Sequence, residues 1–108
     1  MKILSRVGYR PWYERPLKAY INASESGTGL EDFVVVEVLN GEGVVTNLSG
    51  SSYHNIKVTV DGFVLDDLPS VLNDEKSYVF FDESLKVEAI GNGSGNTGSV
   101  NAVVRVMK

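Results

Sequence analysis

The residues best suited to catalytic chemistry are the only histidine, His54, and the serines that precede it. Ser49, Ser51 and Ser52 lie within five positions of His54, and carboxylates are plentiful elsewhere in the chain. A Ser/His/Asp hydrolase commonly presents its serine on a sharp strand-to-helix turn with the pattern G-x-S-x-G, and neither that pattern nor a following helix is evident here. A lone histidine at the start of a strand is more often a hydrogen-bonded or surface residue. We therefore expect no catalytic residues and no enzymatic activity.

A glycine-rich run from Gly93 to Gly98 fits the G-x-G-x-x-G spacing of dinucleotide-binding proteins. In those proteins the run joins a strand to a helix, and the helix N-terminus binds the pyrophosphate. Here the run precedes a β-branched segment, which predicts a strand. We interpret it as a flexible hairpin connection and expect no cofactor.

Acidic clusters could supply the oxygen ligands that calcium prefers. None has the spacing of an EF-hand loop, and acidic loops are usually solvated turns, so we predict no metal site and keep calcium as the alternative. The absence of cysteine excludes disulfides, thiolate zinc sites and cysteine nucleophiles. The clusters are Asp66-Asp67, Asn73-Asp74-Glu75 and Asp82-Glu83.

Binding chemistry is concentrated near the N-terminus, where arginines alternate with aromatic rings. Arginine, tryptophan and tyrosine are enriched at protein–protein interfaces. Exposed rings can also form a platform on which sugars stack, so a glycan is the alternative ligand. We favour the interface. The candidate interface or glycan-stacking residues are Arg6, Arg10, Trp12, Tyr13, Arg15 and Tyr20.

The charge distribution also favours a protein partner. Residues 1–20 carry five basic side chains and one acid, whereas the remaining residues carry five basic and thirteen acidic side chains. An acidic body disfavours nucleic acid over most of the surface. No apolar run is long enough to span a membrane, and the first residues do not resemble a signal peptide, so we expect synthesis in a cytoplasm and no membrane partner.

The elements that must position these residues are β-strands, and the clearest pair surrounds Asp61-Gly62. Ile56, Val58 and Val60 alternate with polar residues, which is the period of a half-buried strand. Asp-Gly is a preferred type I′ hairpin dipeptide. The resulting register places Val60 opposite Phe63 and Val58 opposite Leu65.

Further short strands follow from β-branched runs separated by turn residues. Residues 33–39 are apolar on both faces, which predicts either a central strand or contact with another chain. Asn40-Gly41 is a second hairpin dipeptide, and residues 24–29 and 91–99 have loop composition. We predict an all-β fold, an antiparallel two-sheet β-sandwich like a jelly roll with about eight strands, as a single domain over residues 1–108. Residues 1–16 form a basic N-terminal strand or arm. The further predicted strands are 2–8, 17–23, 31–39, 44–48, 76–81, 85–90 and 100–107.

From Gly43 onward the chain resembles small β-rich structural proteins of tailed bacteriophages and prophages. The resemblance is carried by the segments 43–48, 56–62 and 84–89, with sequences GVVTNL, IKVTVDG and SLKVEA, and by the glycine-rich loop and closing strand. It implies a β-sandwich that builds a head, tail or fibre component, and no catalytic residues.

Together these features predict a non-enzymatic virion structural protein that self-assembles through its β-sandwich and N-terminal arm. Its expected partners are further copies of itself and other virion proteins, and its expected location is the virion, after synthesis in the host bacterium. A carbohydrate-binding or host-adhesion module is the alternative.

Overall fold

The computed structural model describes residues 17–50, 52–65, 71–72 and 78–107. The predicted strand at 2–8 and the arm therefore lie outside the described residues. The described part contains nine β-strands, and no helix in it is long and apolar enough to cross a membrane. The strands are β1 (Ala19–Thr28), β2 (Phe33–Val38), β3 (Gly43–Ser49), β4 (His54–Val60), β5 (Phe63–Leu65), β6 (Val71–Leu72), β7 (Val79–Phe81), β8 (Leu85–Gly91) and β9 (Thr97–Val106).

The strands form two antiparallel sheets with the pairing order of a jelly roll. The first sheet has the order β1-β9-β3-β6, and β7 also pairs with β3; the second has the order β2-β8-β4-β5. Because β6 and β7 both pair with β3, they act as one interrupted strand. Strands from the two ends of the chain pair first, and each further pair lies inside the previous one, as in one long hairpin folded over on itself. The pairs are β1–β9, β2–β8, β3–β6/β7 and β4–β5. The predicted jelly-roll-like sandwich is confirmed.

The tip of that folded hairpin is the turn at Asp61-Gly62. Both residues have positive φ, 50° and 87° respectively, as a type I′ turn requires. Val60 pairs with Phe63 and Val58 with Leu65, which confirms the predicted register. Phe63 is nevertheless 53% exposed because β5 lies at the edge of its sheet.

The core lies between the two sheets and is built largely of valine. Alternate residues of β4, β8 and β9 point into it, as the period of two in their sequences predicts. Small side chains such as Ala89 and Ala102 are fully buried in it among larger ones. Phe81, Leu48 and Leu85 are the largest fully buried side chains in this core cluster.

The apolar strand at 33–39 is not a central strand, and contact of its outer face with another chain stays a prediction. It becomes β2, an edge strand whose only described sheet partner is β8, and its register shifts between Val34 and Val36. This β-bulge lets two consecutive residues, Val35 and Val36, turn inward, each with 7% of its surface exposed. Val34 remains exposed. The bulge therefore accounts for the two consecutive buried valines and leaves the exposed Val34 and Leu39 unexplained.

Three loop predictions are wrong because strand pairing overrides local composition. Residues 24–28 are the second half of β1, paired with β9 as far as Thr28 opposite Thr97, so the loop 91–99 shrinks to residues 92–96. Asn40-Gly41 is not a hairpin turn, since β2 and β3 belong to different sheets and neither residue has positive φ. The glycine-rich connection also crosses between sheets, from β8 to β9, and is not a hairpin connection.

Candidate interface surface

Of the six candidate binding residues, only Tyr20 lies within the described part of the chain. Arg6, Arg10, Trp12, Tyr13 and Arg15 fall outside it. The arm that contains them precedes β1 directly. The backbone N–H of Lys18 donates to the carbonyl of Val106 at 2.7 Å, so the first described residues lie beside the C-terminal end of β9.

Tyr20 lies on the outward face of the first sheet, where it is 53% exposed. Its cross-strand partner is Arg105, whose guanidinium carbon lies 5.2 Å from the centre of the tyrosine ring. This cation–π contact occupies one face of the ring. Tyr20 is therefore part of a surface assembled by strand pairing and does not stand as an isolated ring.

The same row continues across the sheet to Val44 and Phe80. Val44 pairs with Arg105 on one side and with Phe80 on the other. Side chains directly opposite in antiparallel strands share a face, so all four point away from the inter-sheet core. Val44 and Phe80 are nevertheless buried, with 0% and 1% exposure, and neither belongs to the core cluster. We call Tyr20, Arg105, Val44 and Phe80 the outer patch.

A sequence signal for this patch is the pair of consecutive apolar residues on β3 and on β7. A strand with one buried face alternates, but Val44-Val45 and Phe80-Phe81 are consecutive apolar pairs in which every member is fully buried. Consecutive apolar residues in a strand predict burial on both faces. In residues 33–39, by contrast, the two consecutive buried valines result from a bulge.

His54 is buried at the opposite end of the sandwich. Its Nε2 lies 3.0 Å from the carbonyl oxygen of Thr28 on the other sheet, and its ring meets Phe33 edge-on at 5.1 Å. A carbonyl can only accept, so Nε2 carries the proton. The predicted hydrogen-bonded role of the histidine is observed.

Around His54, hydrogen bonds join three connections into one layer. Gly91 N–H donates to Asp32 Oδ1 at 2.8 Å, and Gly93 N–H donates to the carbonyl of Gly29 at 2.8 Å. The side chain of Asn92 donates to the carbonyl of Ser52 at 2.8 Å. The β8–β9 connection thus closes one end of the sandwich, and the predicted strand begins at Thr97, within the G-x-G-x-x-G run.

At the other end, the carboxylate of Asp61 fastens the hairpin tip to the β7–β8 connection. It accepts backbone N–H bonds from Asp82, Glu83 and Ser84, the shortest being 2.7 Å from Glu83. The sequence assigned Asp61 to the turn alone. The structure gives its side chain a second role as an acceptor between sequence-distant loops.

The described residues form few features that could bind a small molecule or a metal ion. Asn40, Gly41, Glu42 and Asp82 line a shallow cavity of about 270 Å³. Within the described ranges, no three His, Asp or Glu side chains are grouped so as to hold a metal ion. Two of the acidic clusters, at 66–67 and 73–75, fall outside those ranges.

A scan against protein-family models matches no family, and searches of curated proteins and of solved structures find no similar chain.

Proposed function

We propose that this chain is a non-enzymatic structural protein of a bacteriophage virion, which self-assembles through its β-sandwich and its basic N-terminal arm. The observation that carries the proposal is the strand-pairing order. Jelly rolls with this order build viral capsids, although lectin domains and cupins share the architecture. The phage-like strand and turn sequences from Gly43 onward favour the first of these uses.

The edge of the first sheet suits such an assembly. Strand β1 spans ten residues and, among the described strands, lies at the end of its sheet with β9 as its neighbour. A long edge strand can pair with an extended segment of another subunit. The arm directly precedes this strand in the sequence.

The basic arm and the acidic body of a neighbouring subunit have opposite charges and would attract each other. Residues 1–20 have a net charge of +4, while the whole chain has −4. Exposed acids of the folded body include Glu25, Glu31 and Glu37. Several charges arrayed together steer association more effectively than one exposed ion pair stabilises it.

A glycan-binding module is the second candidate, because half of the Tyr20 side chain remains exposed. The Arg105 contact leaves the other face of the ring for a sugar. A monomeric protein that binds glycans on an array, and loses binding with Tyr20→Ala, is the result that would favour this candidate.

The test of assembly is the molar mass of the full chain by light scattering, with negative-stain images. We expect an oligomer that dissociates when Arg6, Arg10 and Arg15 are all replaced by glutamate. The matched control replaces Lys57, Lys76 and Lys108 by glutamate and changes the net charge equally. A monomeric wild type, or equal dissociation of the control, contradicts assembly through the arm.

A further inference from the structure

Three dipeptides of this chain place a glycine directly after an asparagine or an aspartate: Asn40-Gly41, Asp61-Gly62 and Asn92-Gly93. In such a dipeptide the backbone nitrogen of the second residue can attack the side-chain carbonyl carbon of the first and form a five-membered succinimide. Glycine favours this attack because it has no Cβ to hinder the nitrogen or to restrict the backbone. All three dipeptides lie within the described residues, so their surroundings can be compared.

We propose that Asn40, alone among these three residues, is a site of spontaneous modification by deamidation in the folded protein. The Gly41 nitrogen forms a bond with Cγ of Asn40, the bond from Cγ to Nδ2 breaks, and Nδ2 leaves as ammonia with the proton of the Gly41 nitrogen. Water then opens the succinimide at Cγ to give aspartate, or at the backbone carbonyl carbon to give isoaspartate. The reaction consumes only water and does not depend on the proposed assembly.

Asn40 has the freedom that this reaction requires. It is exposed, and together with Gly41, Glu42 and Asp82 it lines the shallow cavity of about 270 Å³, so its side chain has room to turn toward the backbone. Among the described residues, none hydrogen-bonds the Asn40 side chain. The contact that must open is the hydrogen bond from the Gly41 N–H to the carbonyl of Glu83, at 2.9 Å.

Asn92 is also exposed, but both atoms of its side-chain amide are held. Its Nδ2 donates to the carbonyl of Ser52 at 2.8 Å, and its Oδ1 accepts from the N–H of Ser94 at 3.1 Å. The Gly93 N–H, whose nitrogen would be the nucleophile, donates to the carbonyl of Gly29 at 2.8 Å. Succinimide formation at Asn92 must therefore break side-chain contacts that Asn40 does not make.

Asp61 is protected both by its functional group and by its contacts. A carboxylate is a poorer electrophile than an amide because its negative charge repels the attacking nitrogen. The oxygens of Asp61 also accept backbone N–H bonds from Asp82, Glu83 and Ser84, which hold the side chain on the β7–β8 connection. We therefore expect the Asp61-Gly62 turn to persist while Asn40 reacts.

Deamidation of Asn40 changes both charge and backbone at the cavity. It replaces a neutral amide by a carboxylate beside Glu42 and Asp82, so the chain gains a negative charge in an already acidic place. Isoaspartate also lengthens the backbone between β2 and β3, at the point where the chain passes from one sheet to the other. Anion-exchange chromatography detects the first change, and mass spectrometry distinguishes the second.

Timed incubation of the full chain at mildly alkaline pH, followed by tryptic peptide mapping, tests the site directly. Cleavage after lysine and arginine places the three dipeptides in separate peptides, residues 19–57, 58–76 and 87–105. We expect conversion at Asn40, assigned by fragmentation, to be several-fold faster than at Asn92, with no isoaspartate at Asp61. A sample digested without incubation corrects for conversion during digestion.

The matched control is the same chain incubated in urea, where both asparagines lose their contacts and should convert at similar rates. In the folded protein, Asn40→Gln should abolish the new acidic form, because glutamine would have to close a less favourable six-membered ring. Asn55→Gln, which replaces another exposed asparagine, should leave that form unchanged. Conversion of Asn92 as fast as Asn40 in the folded protein, or an intact Asn40 under conditions where the urea control reacts, overturns the proposal.

Discussion

Asp61 shows how one side chain can determine both a turn and a tertiary contact. Aspartate and asparagine are among the few residues with a side chain that tolerate positive φ, so the turn position admits either. Its carboxylate also accepts three backbone N–H groups from Asp82, Glu83 and Ser84. The hairpin tip and the β7–β8 connection are thereby joined across 21 to 23 positions in the sequence.

Replacing this carboxylate should weaken the fold by an amount that depends on the substitute. Asp61→Asn keeps the turn and one acceptor oxygen, and we expect a loss of about 1–2 kcal/mol in the free energy of unfolding. Asp61→Ala also loses the tolerance for positive φ, and should cost about 1–2 kcal/mol more. Urea unfolding measures both values.

The control for Asp61 is Glu83→Gln, which removes an exposed negative charge from the same region. It should change stability by less than about 0.5 kcal/mol. Hydrogen exchange at the amides of residues 82–84 should accelerate only in the Asp61 variants. Unchanged exchange there would show that the carboxylate is not their acceptor.

We expect His54 to stabilise the fold more through packing than through its hydrogen bond to Thr28. The carbonyl of Thr28 that accepts from Nε2 also accepts from the N–H of Glu31 at 3.0 Å, so it keeps a partner without the histidine. His54→Leu should therefore cost only about 1 kcal/mol. His54→Ala leaves a cavity beside Phe33 and should cost about 2–4 kcal/mol.

Denaturant unfolding of both histidine variants, with the exposed neighbour Asn55→Ala as control, measures this difference. Asn55→Ala should lie within about 0.5 kcal/mol of the wild type. Equal losses for His54→Leu and His54→Ala would indicate that the hydrogen bond dominates instead.

At the scale of the elements, the closed end of the sandwich depends on a backbone approach that only glycine permits. A Cβ added to Gly91 would lie 2.2 Å from the carbonyl oxygen of Gly29, whereas one added to Gly95 would meet nothing within 4 Å. The first contact is with backbone, which cannot rotate away. The end of β8 and the β1–β2 connection are therefore in direct contact.

This contrast predicts that replacing glycine by alanine changes the stability differently at positions 91 and 95. Gly91→Ala should lower the free energy of unfolding by about 2 kcal/mol or more, since overpacking against backbone forces the connection to shift. Gly95→Ala should be neutral or slightly stabilising because alanine restricts the unfolded chain. Thermal unfolding of both variants tests the approach, and similar melting temperatures would contradict it.

At the scale of the whole molecule, the jelly roll pairs the two ends of the described chain. Ala19 lies opposite Val106, and the nested pairs shorten inward to the hairpin at Asp61-Gly62. Contacts between residues so distant in sequence cost loop-closure entropy before they stabilise the fold.

Refolding should therefore be slow for a chain of 108 residues. All-β proteins with non-local pairing fold on a timescale of about milliseconds to seconds, and we expect this chain to fall in that range or beyond it. Stopped-flow circular dichroism after dilution from urea measures the rate. Refolding in microseconds would contradict the expectation that pairing of the distant strands β1 and β9 limits the folding rate.

The sequence by itself determined the parts of the structure that depend on neighbouring residues. The hairpin at Asp61-Gly62, its register and the alternating faces of β4, β8 and β9 follow from turn chemistry and the period of a strand. From these, the two-sheet sandwich could be predicted, because alternating strands must bury one face against another layer.

Only the tertiary structure decided the features that depend on distant partners. The polar second half of β1 is a strand because β9 lies beside it, and Asn40-Gly41 does not form a hairpin because its flanking strands enter different sheets. The Asp61 contact and the outer patch likewise join residues from separate strands and loops. Local propensities differ by about 1 kcal/mol or less per residue, so the pairing of whole strands outweighs them.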